Sequence, residues 1–356
     1  MASLSKFHAL SFPIVVLILL TSTPLAFAQC EAESMHGCHD KAEAKKLKII
    51  AIVSILVASM IGVCSPLFSR LVPALRPDKD LFLVVKAFSS GVILATGYMH
   101  VLPDAFNDLT SDCLPEDPWR KFPFTTFVAM LSALVALIVD SFANGMYKKR
   151  SAKALVTGND EMLENGNTQI ENFGHGHGHA TEKIISNDGQ DDKESQVLRH
   201  RVIAQVLELG IIVHSVVIGL AMGTSDNPCT IRPLVAAICF HQLFEGMGLG
   251  GCILQAEYRL KTKAIMAFFF ATTTPFGIVL GIGLSSVYSE TSPTELIVVG
   301  ILNACSAGLL NYMAMVELLA AEFMGPKLQA NMKLQAWAYI AVFLGSGVMA
   351  LMAKWA

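Results

Sequence analysis

Eight apolar stretches, each long enough to cross a bilayer, govern what this chain can fold into. They run roughly over 47–68, 81–102, 124–146, 202–223, 232–254, 264–287, 295–318 and 334–354. About 20 apolar residues span the hydrocarbon core as a helix. None of the stretches shows the strict alternation of a transmembrane strand. A helix also satisfies its backbone polar groups internally, as lipid demands. The reading is an all-α polytopic membrane protein with eight transmembrane helices. Composition agrees: 53% of residues are apolar and only 15% are charged, against about 25% in soluble domains. A net charge of −3 excludes a strongly basic nucleic-acid binder, so the expected surroundings are the lipid bilayer and no nucleic acid.

The first 28 residues read as an address. Lys6 gives a positive start, Pro13 to Leu20 an apolar core, and Ala26-Phe27-Ala28 a small-residue cleavage site. The expected organisation is a signal peptide (1–28), an extracellular N-terminus (29–46), helices one to three (47–146), a cytosolic loop (147–201) and helices four to eight (202–356). A cleaved leader puts the mature N-terminus outside, and an even number of spans returns the C-terminus there. Segments assigned to the cytosol hold about twice as many Lys and Arg as the others, the sense the positive-inside rule requires. Lys41, Lys45, Lys46 and Lys48 oppose it locally. The stretch 148–199 is polar and without apolar period, which reads as a linker.

Two spans share a pattern. The fourth carries His214-Ser215-Val216-Val217-Ile218-Gly219-Leu220-Ala221-Met222-Gly223, and the fifth His241-Gln242-Leu243-Phe244-Glu245-Gly246-Met247-Gly248-Leu249-Gly250. Both are H-x4-G-x3-G. The glycines suggest two backbones in close approach. His214, His241 and Glu245 all fall near the centres of their spans, and His241 and Glu245, at i and i+4, share a helix face. Ionisable groups at that depth line a pathway or pair inside the bundle. Two imidazoles and a carboxylate suit Zn²⁺ or Fe²⁺. Gln242 and Ser215 add weaker oxygen donors, and a helix–helix hydrogen bond accounts for Ser215 equally well.

Other groups are ranked lower. Glu208, nearer the cytosolic end of the fourth span, reads as an exit ligand or an interfacial charge. His100 and Asp104 flank Pro103 at the outer end of the second span, where the proline is expected to end the helix; they read as a cation-collecting mouth. Asp140, Lys86 and Glu317 read as interfacial charges that snorkel. Alternating His175, His177 and His179 in the linker form a flexible metal-binding tract. Outside the cell, a Cys30–Cys38 disulfide is expected; the pairing of Cys113 and Cys229 is not legible, and the four cysteines within spans read as small core residues.

These residues resemble the plant ZIP (zinc/iron-regulated transporter-like) family. The carriers are HSVVIGLAMG, HQLFEGMGLG and the GHGHGH loop. The runs FHQLFEGMGLGGCILQAEY and LNACSAGLLNYMAMVELLAAEFMGPKLQ are similar to its iron-regulated branch. The resemblance implies a carrier of Zn²⁺, Fe²⁺ and similar ions, Mn²⁺ and Cd²⁺ among them, into the cytosol. These ions are transported substrates; no permanently bound cofactor is implied. The implied site lies between helices four and five, at His214, Ser215, His241, Gln242 and Glu245, with His100 and Asp104 at the mouth. It also implies a bundle of helices one, four, five and six sliding against two, three, seven and eight. Ile218 stands where some members place a second bridging glutamate, so one principal ion per site is expected. A plasma-membrane location is expected, with an organelle membrane as the other option; a homodimer is left open.

Two other classes compete. An intramembrane metalloenzyme needs a general base, often as H-E-x-x-H, and this motif is absent. A non-transporting metal sensor needs an output domain, and none is recognisable. No phosphate-binding G-x4-G-K-[ST] occurs either. Because the histidine tract lies off the spans, deleting His175–His179 is expected to change apparent affinity or regulation while transport persists. Radiotracer uptake at matched surface level tests this, and complete loss of flux would refute it.

Overall fold

The computed structural model describes residues 40–68, 79–142, 145, 180–285 and 292–353. The expected leader, Cys30, Cys38 and the histidine tract at 175–179 lie outside the described residues. Among those described there is no strand, and eight helices are long and apolar enough to cross a membrane. They are α1 (Lys41–Leu67), α2 (Asp80–Leu109), α3 (Phe124–Phe142), α4 (Ala180–Thr224, its apolar span Val197–Thr224), α5 (Pro228–Gln255), α6 (Leu260–Leu284), α7 (Pro293–Phe323) and α8 (Met332–Ala353). Each matches one apolar stretch of the sequence, so the expected fold class holds.

Boundaries differ where local chemistry favours helix. α1 begins earlier than its apolar run because the Asp40 carboxylate accepts from the Ala42 and Glu43 N–H groups at 2.9 and 3.0 Å, an N-cap. The linker is not irregular to its end, since α4 starts at Ala180. No proline lies between 180 and 227 to stop a helix already formed in the span.

The largest departure is in α2. Pro103 does not end it. A proline inside a helix removes one backbone bond and crowds the carbonyl four residues back. Here the turn Gly97–Val101 is π-wound, and the Leu102 N–H donates to the Gly97 carbonyl five residues back. The widened turn absorbs the proline, and helix continues to Leu109. His100 sits within that turn.

The helices associate in two groups. α1 lies along α5 and α6, and α4 along α6; α2 lies along α8, and its second half along α7. Glycine sets these contacts. A Cβ on Gly223 would stand 2.7 Å from the Gly281 Cα and 3.0 Å from the Ile282 nitrogen; one on Gly219 would meet the Thr274 carbonyl at 2.6 Å. Gly246 and Gly250 pack likewise on the α1 backbone, and Gly62 of α1 on the Leu243 carbonyl. In the other group Gly91 packs on Val342, and Gly345 on Phe88. The repeated motif therefore does not use its glycines to join α4 to α5, as its symmetry suggested. One pair seats α4 on α6, the other α5 on α1.

Where backbone meets backbone nothing flexible can yield, and overpacking costs about 1–3 kcal/mol or more. Gly223→Val is expected to lower the melting temperature of detergent-purified protein and its surface level sharply. Gly283→Ala, which meets no atom within 4 Å, is expected to leave both unchanged. Equal stability of the two variants would show that the α4–α6 contact is not needed.

Candidate metal site

Three imidazoles from three helices meet in the interior. The ring centres of His100 (α2), His214 (α4) and His241 (α5) lie 5.7, 5.8 and 5.9 Å apart in pairs. All three side chains are buried. Three imidazoles on one zinc ion at bond lengths of about 2.0–2.1 Å put ring centres roughly 5–5.5 Å apart. The cluster is a few tenths of an ångström wider than that. As they stand, no three His, Cys, Asp or Glu side chains among the described residues are arranged to hold a metal ion.

The hydrogen-bond accounting is the more telling observation. Buried polar atoms are nearly always paired. Here both ring nitrogens of His214, Nδ1 of His241 and Nε2 of His100 have no partner among the described residues. Nor have both carboxylate oxygens of Glu245, Oε1 of Gln242 and Oγ of Ser215. Glu245 is wholly buried one turn beyond His241 on the same face of α5. Borderline nitrogen and hard oxygen donors are thus concentrated in a small volume with nothing protein-borne to bind.

The remaining site residues fall as follows. His100 is inside the cluster rather than at a helix end, because the π-wound turn carries α2 past Pro103. Asp104 lies one turn further along, with its side chain 47% exposed and its Oδ2 3.8 Å from His100 Nδ1. It links the buried rings to solvent at that end of the bundle. Glu208 is buried on α4 nearly two turns from His214 and is not part of the ring cluster. Gln242 is turned sideways: its Nε2 donates to Thr274 Oγ1 of α6 at 2.7 Å and lies 3.4 Å from Ser59 Oγ of α1. Neither hydroxyl stood out in the sequence as a partner of Gln242. The neighbouring Thr272 and Thr273 donate instead to carbonyls one turn back.

The two ends of the bundle differ. At the Asp104 end a cavity of about 350 Å³ opens between the two helix groups. Asp108, Glu295, Leu296 and Val299 line one side, and Ala221, Ser225, Thr230 and Leu234 the other. At the opposite end, charges expected to snorkel are buried and paired. Lys86 of α2 donates to Gln255 of α5 at 2.9 Å and pairs with Glu322 of α7. Arg199 of α4 pairs with Glu317 of α7 at 3.1 Å, and Asp140 stands beside Glu317. Two of the four lysines that opposed the charge rule are paired: Lys41 and Lys48 lie 3.7 and 3.5 Å from Asp226 at the α4–α5 corner. Cys113 and Cys229 are both disulfide-bonded, while Cys64, Cys239, Cys252 and Cys305 are free.

An eight-helix membrane bundle with a buried, unsatisfied His/Glu cluster defines a polytopic protein that handles cations. The family described as ZIP Zinc transporter matches residues 45–353, and the chain belongs to that family of membrane metal transporters; it is not an enzyme. It is 59% identical to Zinc transporter 7 of Arabidopsis thaliana over 338 residues, 92% of this chain and 91% of that protein. It is also 59% identical to Fe(2+) transport protein 2 of Oryza sativa subsp. japonica over 347 residues, 92% and 90% of the two chains. Fe(2+) transport protein 1 of Arabidopsis thaliana is 54% identical over 341 residues, 94% and 93%.

Proposed function

We propose that this chain moves Zn²⁺ or Fe²⁺ into the cytosol through a site made by His214 on α4, His241 and Glu245 on α5, and His100 on α2. The observation that carries this reading is the set of buried nitrogens and oxygens without partners, gathered from three helices around ring centres less than 6 Å apart. A bare cluster of this kind costs free energy that a bound cation would return. The small contraction needed to reach coordination distance fits a carrier, which must release its cargo, better than a closed structural site. Relatives named for zinc and for Fe(2+) are about equally similar to this chain, and imidazole with carboxylate serves both ions.

The direction of movement rests on the charge bias of the loops and on the two unlike ends. The cavity beside Asp104 and the disulfide-bonded Cys113 and Cys229 suit an exoplasmic face. Asp104 and His100 would collect the ion there and pass it to His214 and His241. Glu208, nearly two turns along α4 toward the other end, suits the release side. Movement of the α1/α4/α5/α6 group against the other four helices would carry His214, His241 and Glu245 past His100. The plasma membrane, with both termini outside, is the location this orientation suits.

Replacing His214, His241 or Glu245 by Ala is expected to abolish uptake of radiolabelled Zn²⁺ and Fe²⁺ in cells lacking their own uptake system, at unchanged surface level. His100→Ala is expected to lower uptake severely rather than only raise the half-saturation, because the ring belongs to the cluster. Near wild-type uptake in any two of the first three variants would overturn the site.

A further inference from the structure

We infer that Thr274 of α6 and Ser59 of α1 are positioning residues that fix the Gln242 amide with its carbonyl oxygen turned to the transported cation. The inference rests on the site reading above and adds residues that touch no cation themselves. Three observations carry it. The Gln242 Nε2 donates to Thr274 Oγ1 at 2.7 Å and reaches Ser59 Oγ at 3.4 Å. Its Oε1, at the other end of a planar amide, is buried with no partner. All three side chains are essentially sealed from solvent, at 1%, 0% and 0% exposure.

The two ends of an amide have nearly the same shape, and chemistry selects between its two orientations. The reverse orientation would aim two N–H donors at a divalent cation beside Glu245. The orientation found spends both donors on hydroxyl oxygens and leaves a hard, neutral oxygen free. The hydroxyls cannot drift. Gly219 of α4 packs against the Thr274 carbonyl, and Gly62 of α1, one turn from Ser59, packs on the Leu243 carbonyl. The same backbone contacts that hold α1, α4, α5 and α6 together therefore fix the angle of one donor. Groups that orient a metal ligand in this way typically alter metal affinity by about 10–100-fold when removed.

The test uses the full-length chain in uptake-deficient cells, with Zn²⁺ as substrate and Mn²⁺ as competitor. Thr274→Val keeps the shape and deletes the hydroxyl. It is expected to raise the half-saturation for Zn²⁺ about tenfold and weaken Mn²⁺ competition, with the maximal rate per surface molecule little changed. Thr274→Ser should restore both, and Ser59→Ala should give a smaller change in the same sense because its contact is longer. Equilibrium Zn²⁺ binding to purified Gln242→Ala and Gln242→Ala/Thr274→Val should be equal, since Thr274 acts only through Gln242. A silent Thr274→Val, failure of Thr274→Ser to restore affinity, or a further loss in the double variant would overturn the positioning role. Such results with His241→Ala still inactive would sink this inference alone; an active His241→Ala would remove the site beneath it.

Discussion

Holding imidazole and carboxylate groups without protein partners in a buried interior is the constraint on which the rest of this structure depends. Each unpaired buried polar group costs roughly 1–3 kcal/mol, and His214, His241, His100 and Glu245 together present six such atoms. A soft interior would relieve that cost by turning the side chains toward water or one another. The helices around the cluster cannot move enough to allow it. α4 is seated on α6, and α5 on α1, by contacts in which backbone meets backbone. The glycines of the repeated motif thus act at a distance from the histidines they accompany in sequence. They make rigid walls, and the walls hold the imidazoles with ring centres less than 6 Å apart.

The same rigidity is absent between the two helix groups. Within the α1/α4/α5/α6 group, glycines meet carbonyls and backbone nitrogens. Between groups they meet side chains: Gly248 faces the Ile93 side chain, Gly210 faces Leu309, and Gly251 faces Phe82. Apolar side chains slide and change rotamer more readily than interlocked backbones, so this surface is the softer one. The cluster straddles it, with His214 and His241 on one side and His100 on the other. A shift of either group changes the distance between His100 and its two partners without disturbing the α4–α5 pair.

The eight spans were legible because each follows from one strong signal, a long apolar run. His214, His241 and Glu245 were legible because an ionisable group at that depth is costly and therefore informative. His100 was misplaced for a local reason. Pro103 removes a backbone bond, and the wider turn at Gly97–Val101 carries the helix past it; nothing in the residue types between them announces that turn. Lys86, Glu317 and Asp140 were misread because each was weighed alone against the nearest span end. Their partners, Gln255, Glu322 and Arg199, come from helices distant in sequence. The direction of Gln242 was hidden similarly. Its partners Ser59 and Thr274 are ordinary small polar residues until α1, α5 and α6 are brought side by side.

The polar ties across the softer surface complete the argument, because they are not evenly placed. The bonds of Lys86 to Gln255 and of Arg199 to Glu317 join the two groups at the end away from Asp104. Midway, Ser306 of α7 donates to the Gly210 carbonyl of α4 at 2.9 Å. Toward the Asp104 end, Lys48 with Asp226 and Arg232 with Glu43 bind the α1/α4/α5/α6 group to itself, Asn303 of α7 reaches Asp108 of α2 within the other group, and the space between groups is a cavity lined by Asp108 and Glu295. Charges paired away from bulk water gain more from each other than exposed pairs do, and breaking one by removing a partner is costly. Exposed pairs at a surface contribute little. The Lys86–Gln255 bond and the part-buried Arg199–Glu317 pair therefore clamp the groups at one end, while the other end is held mainly within each group. That imbalance sets which end of the shared cluster faces an open, acid-lined space, and it does so with residues that never touch the cluster.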